Sequence, residues 1–489
     1  MITADSINTR LFRDISWNTL QVLLNQFLGV FIFLLLSRYL DKDIYGELNW
    51  SLAVLTLITT ILSLRLEQIV VRNVAAGKDP SALLTLFTVH NLVTGSVFFG
   101  LLLAGHFLFP VFFQRHYILW ILSISQLLSF FALPFRQLAT GKSAFGWLAI
   151  ISTVSNLIRC GWIGWLAAFS AITLPRVLVV FTLSALVEFI LGGYIVTRQL
   201  RIPLTRQKVY TYRQLIRESL PQVGLVFLQA GIARIDWILM GLLSTPVRTA
   251  EYSFAYRAYE FSPLPLLILA PFLLNSFSRH FNPAAGPALV PPARDPAWLG
   301  PVVRLQTIFA TLLPLWLVLA WSPLIDFLTN HKYGQVNAIT FLILSACIPF
   351  QYLVNIFWSA EFADNRLAMI LKITAITGLI VVAGDVLLIP AYGGQGAALA
   401  YLAAMIVQYG LYSRNSVFTG RKKWGGQMIL AIAIAAGSGG LAVWLTNSVP
   451  LRLGIASILY GLFFWSTGRL KRKDFFPPLY PITGKMAGK

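Results

Sequence analysis

The chain contains fourteen apolar segments that are each long enough to cross a membrane as an α-helix. An α-helix needs about 20 apolar residues to cross the hydrocarbon core of a bilayer. The approximate limits of these spans, numbered one to fourteen in chain order, are 16–37, 48–71, 82–108, 116–135, 144–168, 175–197, 219–243, 250–276, 304–326, 336–359, 367–389, 394–413, 427–447 and 450–468. Charged residues make up only 11% of the chain, whereas a soluble domain has about 25%. The sequence therefore predicts an all-α polytopic membrane protein and excludes a soluble enzyme of several domains.

The Lys and Arg residues of the loops indicate which side of the membrane each loop occupies. An even number of spans places both termini on the same side, and cytoplasmic loops of membrane proteins collect cations. With both termini inside, and with cations at span ends counted in the adjoining loops, the cytoplasmic segments hold 26 Lys and Arg residues and the outer loops hold 7. This ratio predicts cytoplasmic termini. It also explains the net charge of +20 without a nucleic-acid partner, which we do not expect.

The longest basic loop divides the chain into two sets of six spans. This loop, a predicted cytoplasmic linker at 199–218, follows span six. We therefore expect an N-terminal lobe at 1–198, a C-terminal lobe at 219–414, and spans thirteen and fourteen with a basic cytoplasmic tail at 415–489.

Ten ionisable residues fall inside the predicted spans, leaving aside those at the span ends. The five cations are Arg65, Arg159, Arg234, Arg257 and Lys372, and the five acids are Glu67, Glu188, Asp236, Glu260 and Asp385. A charge at the bilayer centre costs at least about 2.5–3.5 kcal/mol, so such residues face an interior cavity or pair with each other. The sequence leaves both alternatives open, and residues near span ends can also extend towards the membrane surface.

Polar residues in several spans recur at helical spacing and therefore share one face of their helix. These stripes are Asn18, Gln21 and Asn25 in span one, Ser152, Ser155, Asn156 and Arg159 in span five, Gln222, Gln229 and Asp236 in span seven, Ser253, Arg257 and Glu260 in span eight, and Gln351 and Asn355 in span ten. Such faces contact water or another helix rather than lipid. We interpret them as the lining of a central water-filled cavity, with hydrogen bonding between helices as the alternative.

The sequence contains no pattern that indicates catalysis, a metal or a cofactor. The five histidines are scattered without metal-ligand spacing, and the two cysteines lie in apolar runs. A phosphate-binding loop is excluded because Arg136, just after span four, stands where its first glycine belongs. These observations favour a transporter over an enzyme.

Six short motifs resemble those of the oligosaccharide flippases in the multidrug/oligosaccharidyl-lipid/polysaccharide superfamily. They are LSRYL at 36–40, YGE at 45–47, LRLEQIVVRNVA at 64–75, RIDWILMGLL at 234–243, YSFAYR at 252–257 and IPAYGGQGAA at 389–398. The chain departs from the family pattern at Arg65 and Asp41, where the family usually has glycine. The motifs occur in the family's order and at the corresponding spans.

The resemblance implies two six-helix lobes that form a V-shaped cavity with alternating access. It also implies transfer of an undecaprenyl-diphosphate-linked oligosaccharide to the outer leaflet of the bacterial inner membrane, with polysaccharide polymerase and glycosyltransferases as pathway partners. Such a substrate needs fixed cations, for which Arg159, Arg257, Lys372, Arg234 and Arg65 are the candidates.

Other polar residues of the stripes have separate predicted roles. The predicted cavity lining consists of Asn25, Asn156, Gln229, Gln351 and Asn355. Asp236 and Glu260 are the candidates for coupling to an ion gradient, because coupling needs an acid whose charge state changes. A multidrug or small-cation antiporter of the same superfamily and, less favoured, a membrane-embedded polysaccharide polymerase or ligase remain as alternatives.

The orientation can be tested by cysteine labelling in the basic linker. We expect Arg206→Cys in intact cells to be protected from a membrane-impermeant thiol reagent, because the charge ratio places the linker inside. A cysteine introduced at Lys332, in the predicted outer loop between spans nine and ten, is the control that should react. Labelling at position 206 from outside would reverse the predicted topology.

Overall fold

A computed structural model of the chain describes residues 4–205, 209–281, 295–296, 298–416 and 418–467. Within these ranges the structure is almost entirely α-helical and contains no strand. Ten described helices are long and apolar enough to cross a membrane. The predicted class of an all-α polytopic membrane protein is therefore confirmed. Position 206, and parts of the predicted linker and tail, lie outside the described residues.

The helices fall into two compact units, 1–250 and 251–489. The helices that begin in the first unit are α1 (Ala4–Tyr39), α2 (Lys42–Leu62), α3 (Leu66–Ala75), α4 (Pro80–Leu108), α5 (Pro110–Arg115), α6 (Tyr117–Gly141), α7 (Phe145–Ala168), α8 (Leu174–Tyr194, continued by a π-helical turn at Ile195–Gln199), α9 (Val209–Ile232), α10 (Ile235–Leu243) and α11 (Pro246–Tyr259). Those of the second unit are α12 (Leu264–Phe281), α13 (Leu299–Thr329), α14 (Ala338–Ala363), α15 (Leu367–Tyr392), α16 (Gly394–Asn415), α17 (Arg421–Leu445) and α18 (Val449–Ser466). The predicted lobe boundaries at 198 and 219 stay a prediction.

Each of the fourteen predicted spans corresponds to one helix or to a pair of helices. Spans two, seven and eight are each broken into two helices, with the breaks between α2 and α3, α9 and α10, and α11 and α12. At the first break Leu64 and Arg65 have φ angles of 47° and 63°, a left-handed conformation that cannot continue a helix. Hydropathy averaged over a span does not reveal these breaks, although each lies beside ionisable residues: Arg65 and Glu67, Arg234 and Asp236, and Arg257 and Glu260.

In the first unit α6 is the helix around which most others pack. It contacts α8, α3, α4, α2 and α7, while α1 lies along α7 and α7 packs on α8. The apolar core beneath α3 and α4 is formed by Leu66, Val70, Leu84, Phe87 and Leu138. This packing brings one face each of α1, α6, α7 and α8 towards a common interior.

A carboxylate in the first half of α9 joins this helix to α3. Glu218 accepts hydrogen bonds from Asn73 at 3.1 Å, Arg72 at 3.1 Å and Lys78 at 3.3 Å. It lies at the end of the predicted linker, outside the spans, and these donors, the Asn73 amide first, lower its pKa below the ordinary value. A lowered pKa means that this contact stabilises the fold above the ordinary pKa of a glutamate and weakens as the pH falls through the folded-state value.

In the second unit the last two helices pack on each other and on α13. Their apolar core contains Leu315, Leu319, Ala431 and Ala435. A methyl group at Gly439 would lie 2.7 Å from the Leu315 side chain, so the small residues of α17 permit a close approach, as their composition predicts.

One close contact joins α2 to α10 in the first unit. The Trp50 indole nitrogen donates to the Ile238 carbonyl oxygen at 3.1 Å, and the Trp50 ring stacks on His116 with centroids 4.2 Å apart. His116 in turn pairs with the buried Glu47 carboxylate at 3.0 Å. A side chain at Gly241 would overlap the Trp50 ring, so this contact requires glycine at that position.

We expect Gly241→Ala to destabilise the protein by about 1–3 kcal/mol, because the added methyl group overpacks the Trp50 contact. The measurement is the apparent Tm of purified protein in detergent. Gly161→Ala on α7 is the matched control, since no atom lies within 4 Å of a methyl group there. An equal Tm for both variants would contradict the close α2–α10 contact.

Candidate functional site

Helices α1, α6, α7 and α8 enclose a polar cavity of about 530 Å³ within the first unit. Ten of the twelve side chains that line this cavity are polar. They are Gln21 and Asn25 from α1, Ser129, Arg136, Gln137 and Thr140 from α6, Ser152, Asn156 and Arg159 from α7, and Glu188 from α8. The cavity brings together three of the predicted site residues, Asn25, Asn156 and Arg159.

The polar stripes of spans one and five face each other across the α1–α7 contact. Asn156 donates its amide to the Asn25 side-chain oxygen at 2.9 Å, and the Gln21 amide donates to the Ser152 hydroxyl at 2.7 Å. Both interpretations of the polar stripes therefore apply to spans one and five. The side chains bond between helices, and the same side chains line a cavity.

The charged side chains of the cavity lie at its α6–α7–α8 side. Arg136 forms an ion pair with Glu188, with Nη1 and Oε1 2.9 Å apart. The Arg159 Nε donates to the Ser184 hydroxyl at 3.0 Å, and its guanidinium lies 4.8 Å from the centroid of the Phe181 ring. Glu188 is only 5% exposed. Two guanidinium groups and one carboxylate give the cavity an excess of positive charge.

Arg136 is a cavity residue that the sequence analysis missed. Span four was predicted to end at residue 135, which placed Arg136 in a loop, but α6 continues to Gly141. The boundary was wrong because the hydropathy falls at Arg136, Gln137 and Thr140 while the helix goes on. Helical spacing extended beyond residue 135 would have placed Ser129 and Arg136 on one face, since they are seven positions apart.

A second polar cluster lies in the part of α11 and α14 that belongs to the second unit. Arg257 pairs with Glu260 at 2.8 Å, and the Tyr259 hydroxyl donates to the Gln351 side-chain oxygen at 2.8 Å. One turn along α14, the buried Asn355 Oδ1 has no hydrogen-bond partner among the described residues. Of the predicted residues Arg257, Glu260, Gln351 and Asn355, the first two pair with each other, and Gln351 contacts the same stretch of chain through Tyr259.

The remaining predicted residues lie outside both clusters. Arg65 precedes α3 at the first helix break, and Lys372 is exposed on α15. At the α9–α10 break the Arg234 guanidinium lies 4.9 Å from the Trp237 ring centroid, and the buried Asp236 accepts the Trp237 backbone N–H at 2.8 Å. The Gln229 side chain lies outside the described residues.

The chemistry available in the first-unit cavity is anion binding. An arginine presents forked N–H donors that match phosphate oxygens, and here two such groups lie beside neutral amides and hydroxyls. Among the described residues no group of three His, Cys, Asp or Glu side chains is placed to hold a metal ion.

Comparisons with known proteins place the sequence in a family and relate the fold to solved structures. The sequence profile of a family described as polysaccharide biosynthesis proteins matches residues 11–273. No curated protein matches the sequence significantly.

Several solved structures share the fold at low sequence identity. One described as the lipid II flippase MurJ in an inward closed conformation has a TM-score of 0.70 and 12% identity, covering 92% of this chain and 98% of that one. A multidrug resistance MATE family transporter of the MOP superfamily has a TM-score of 0.61 and 12% identity, covering 84% and 98%. A MOP superfamily transporter from Pyrococcus furiosus, whose description mentions a binding pocket of reverse polarity, has a TM-score of 0.56 and 10% identity, covering 86% and 96%. At these identities the likeness concerns the fold.

Proposed function

We propose that the chain, which belongs to the polysaccharide biosynthesis protein family, is a flippase for a lipid-linked oligosaccharide. The membership and the shared MOP fold confirm the superfamily that the motifs indicate. The substrate we propose is an undecaprenyl-diphosphate-linked oligosaccharide, moved from the inner to the outer leaflet of the bacterial plasma membrane. The observation that carries this proposal is the pair of arginines, Arg136 and Arg159, in one polar cavity between helices.

The cavity offers what the polar part of such a substrate needs inside a membrane. A diphosphate cannot cross hydrocarbon without partners for its charge. Arg136 and Arg159 supply cationic, forked donors, and the amides of Gln21, Asn25 and Asn156 supply hydrogen bonds of the kind that sugar hydroxyls accept and donate. The lipid tail can remain in the bilayer while the head group occupies the cavity.

The charge of the cavity disfavours the alternative of a multidrug or small-cation antiporter. A site that attracts cations should carry net negative charge, whereas two guanidiniums here face one carboxylate. The fold and the family are those of transporters, which likewise argues against a polymerase or ligase.

The cellular setting follows from the same proposal. The chain is a multi-pass membrane protein, and we place it in the plasma membrane with both termini in the cytoplasm. Its proposed neighbours in the pathway are the glycosyltransferases that build the repeat unit inside and the polymerase that joins repeat units outside.

We expect Arg136→Ala and Arg159→Ala to abolish export of surface polysaccharide, and Arg→Lys at either position to retain a partial level. A charge-assisted hydrogen bond contributes about 1.5–3 kcal/mol, so loss of one guanidinium should weaken diphosphate binding roughly 10- to 100-fold. Lysine keeps the charge but loses the fork. The measurement is surface polysaccharide together with the amount of protein in the membrane. We expect the same loss of export with Arg257→Ala, and a partial level with Arg257→Lys, because Arg257 is the predicted substrate-binding cation of the second unit.

Arg176→Ala is the matched control for these variants. Arg176 lies outside the cavity at the start of α8 and donates only to the Ala171 carbonyl oxygen among the contacts described. We expect it to leave export unchanged. Normal export by Arg136→Ala and Arg159→Ala at normal protein level would refute the cationic-cavity mechanism.

Coupling to an ion gradient, where it occurs, is proposed to depend on Glu260 or Asp236. Glu260 pairs with Arg257 at 2.8 Å, so a proton on the carboxylate would release the arginine. Asp236 lies in the first turn of α10 and is buried. We expect Glu260→Gln or Asp236→Asn to diminish gradient-driven ion flux in proteoliposomes, with Asp326→Asn, a loop-binding acid, as the control. Unchanged flux in both variants would exclude these acids from coupling.

A further inference from the structure

The cavity of the first unit contains its own anion. Glu188 is the one carboxylate among the described residues that line it. Its Oε1 lies 2.9 Å from Arg136 Nη1, and its Oε2 accepts from the Ser155 hydroxyl at 3.5 Å. Arg159 is close enough to interact electrostatically with both Glu188 and Arg136. Thus the carboxylate occupies the position beside the guanidiniums that an anionic ligand would use.

The Arg136–Glu188 contact is close but loosely aligned. The atoms are 2.9 Å apart, yet no donor among the described residues meets Glu188 Oε1 with hydrogen-bond geometry. Arg136 also keeps 31% of its side chain exposed, against 7% for Glu188. The arginine therefore retains donors that face the cavity, and a ligand with well-aligned oxygens can compete with the glutamate for them.

Charge balance makes the carboxylate and a diphosphate compete. Two arginines left without a counter-ion in a cavity between helices would be strongly unfavourable, and Glu188 offsets one of these charges. A diphosphate diester brings about two negative charges at neutral pH. If it binds while Glu188 stays paired, the anions exceed the cations, and like charges repel strongly at low dielectric.

We infer that Glu188 is an internal counter-anion, paired with Arg136 when the carrier is empty and displaced when the diphosphate of the substrate binds. This inference rests on the proposed function and assigns to Glu188 the control of substrate affinity. The exchange lowers the affinity for the substrate and helps to expel it after transfer. It also neutralises part of the cationic site while the empty carrier returns. Glu188 is thus a positioning residue for Arg136 and sets how tightly the diphosphate is held.

The test compares diphosphate binding to the full-length protein and its variants in lipid nanodiscs. The probe is farnesyl diphosphate, with farnesol as the uncharged reference. We expect Glu188→Gln to bind the probe roughly tenfold more tightly than the unmodified protein, because the amide keeps the shape and removes the competing charge. Glu188→Asp, which retracts the carboxylate from Arg136, should increase the affinity to a smaller extent and guards against misfolding of the first variant.

A second measurement separates this role from a purely structural one. Flipping of a polyprenyl-diphosphate-linked oligosaccharide in proteoliposomes should become slower in Glu188→Gln although binding is tighter, because release and return of the carrier are impeded. A structural role would instead lower both affinity and rate. Glu47→Gln is the matched control, since Glu47 is also a buried acid of the first unit but pairs with His116 and does not line the cavity. It should leave the affinity unchanged.

The outcomes distinguish the inference from the proposed function. Equal or weaker probe binding by both Glu188 variants, with binding by the unmodified protein intact, would overturn the counter-anion role and leave the flippase proposal standing. Absence of diphosphate binding by the unmodified protein would overturn the proposed function, and the counter-anion role with it. Tighter binding by Glu47→Gln as well would show that the gain does not come from Glu188.

Discussion

The cost of placing a charge in hydrocarbon determines where the polar residues of this chain can lie. A lone ion at the bilayer centre is unfavourable by at least about 2.5–3.5 kcal/mol. The structure pairs two arginines of the polar clusters with acids, whereas Lys372 is exposed on α15. Arg136 lies with Glu188 and Arg257 with Glu260, each at less than 3 Å. Helix packing follows from this constraint, because α1, α6, α7 and α8 must present their polar faces to one another and their apolar faces to lipid. The cavity is the interior that this arrangement leaves.

Hydropathy predicts the helices well and their interruptions poorly. Fourteen predicted spans correspond to helices because lipid imposes a minimum apolar length on each. The breaks in spans two, seven and eight depend on local backbone geometry, such as the left-handed φ of 63° at Arg65, and on contacts with other helices. Neither leaves a periodic signal, and the ionisable residues beside the breaks, such as Arg65 and Asp236, do not by themselves distinguish a broken span from a continuous one. The requirement for glycine at position 241 likewise follows from the position of Trp50, which only the fold provides.

Helical spacing predicts part of the cavity and misses the rest for a definite reason. Asn25, Asn156 and Arg159 could be placed on inward faces because polar residues recur along an otherwise apolar helix. Arg136 could not, because it lies where the apolar run ends, and there a span that stops and a helix that continues look alike in sequence. The pairing of Arg136 with Glu188 joins residues 52 positions apart on α6 and α8. The spacing of residues along one helix cannot reveal such a partner, because it does not show which helices pack together.

The same electrostatics bears on whether the carrier needs an ion gradient at all. An inside-negative potential favours outward movement of an anion by about 2.3 kcal/mol per charge for each 100 mV. A diphosphate-linked substrate would therefore move outward down its electrical gradient without a coupled ion. The acids of this chain would then serve a different purpose from the acids of a cation antiporter, which bind one cation in exchange for another. In the proposed mechanism Glu188 balances a cationic site that would otherwise hold an anionic substrate too firmly, and a site that exchanges one anion for another needs no proton to release its substrate. On this reasoning, the charge of the proposed substrate and the membrane potential together favour outward transport, and any coupling through Glu260 or Asp236 would add to that movement.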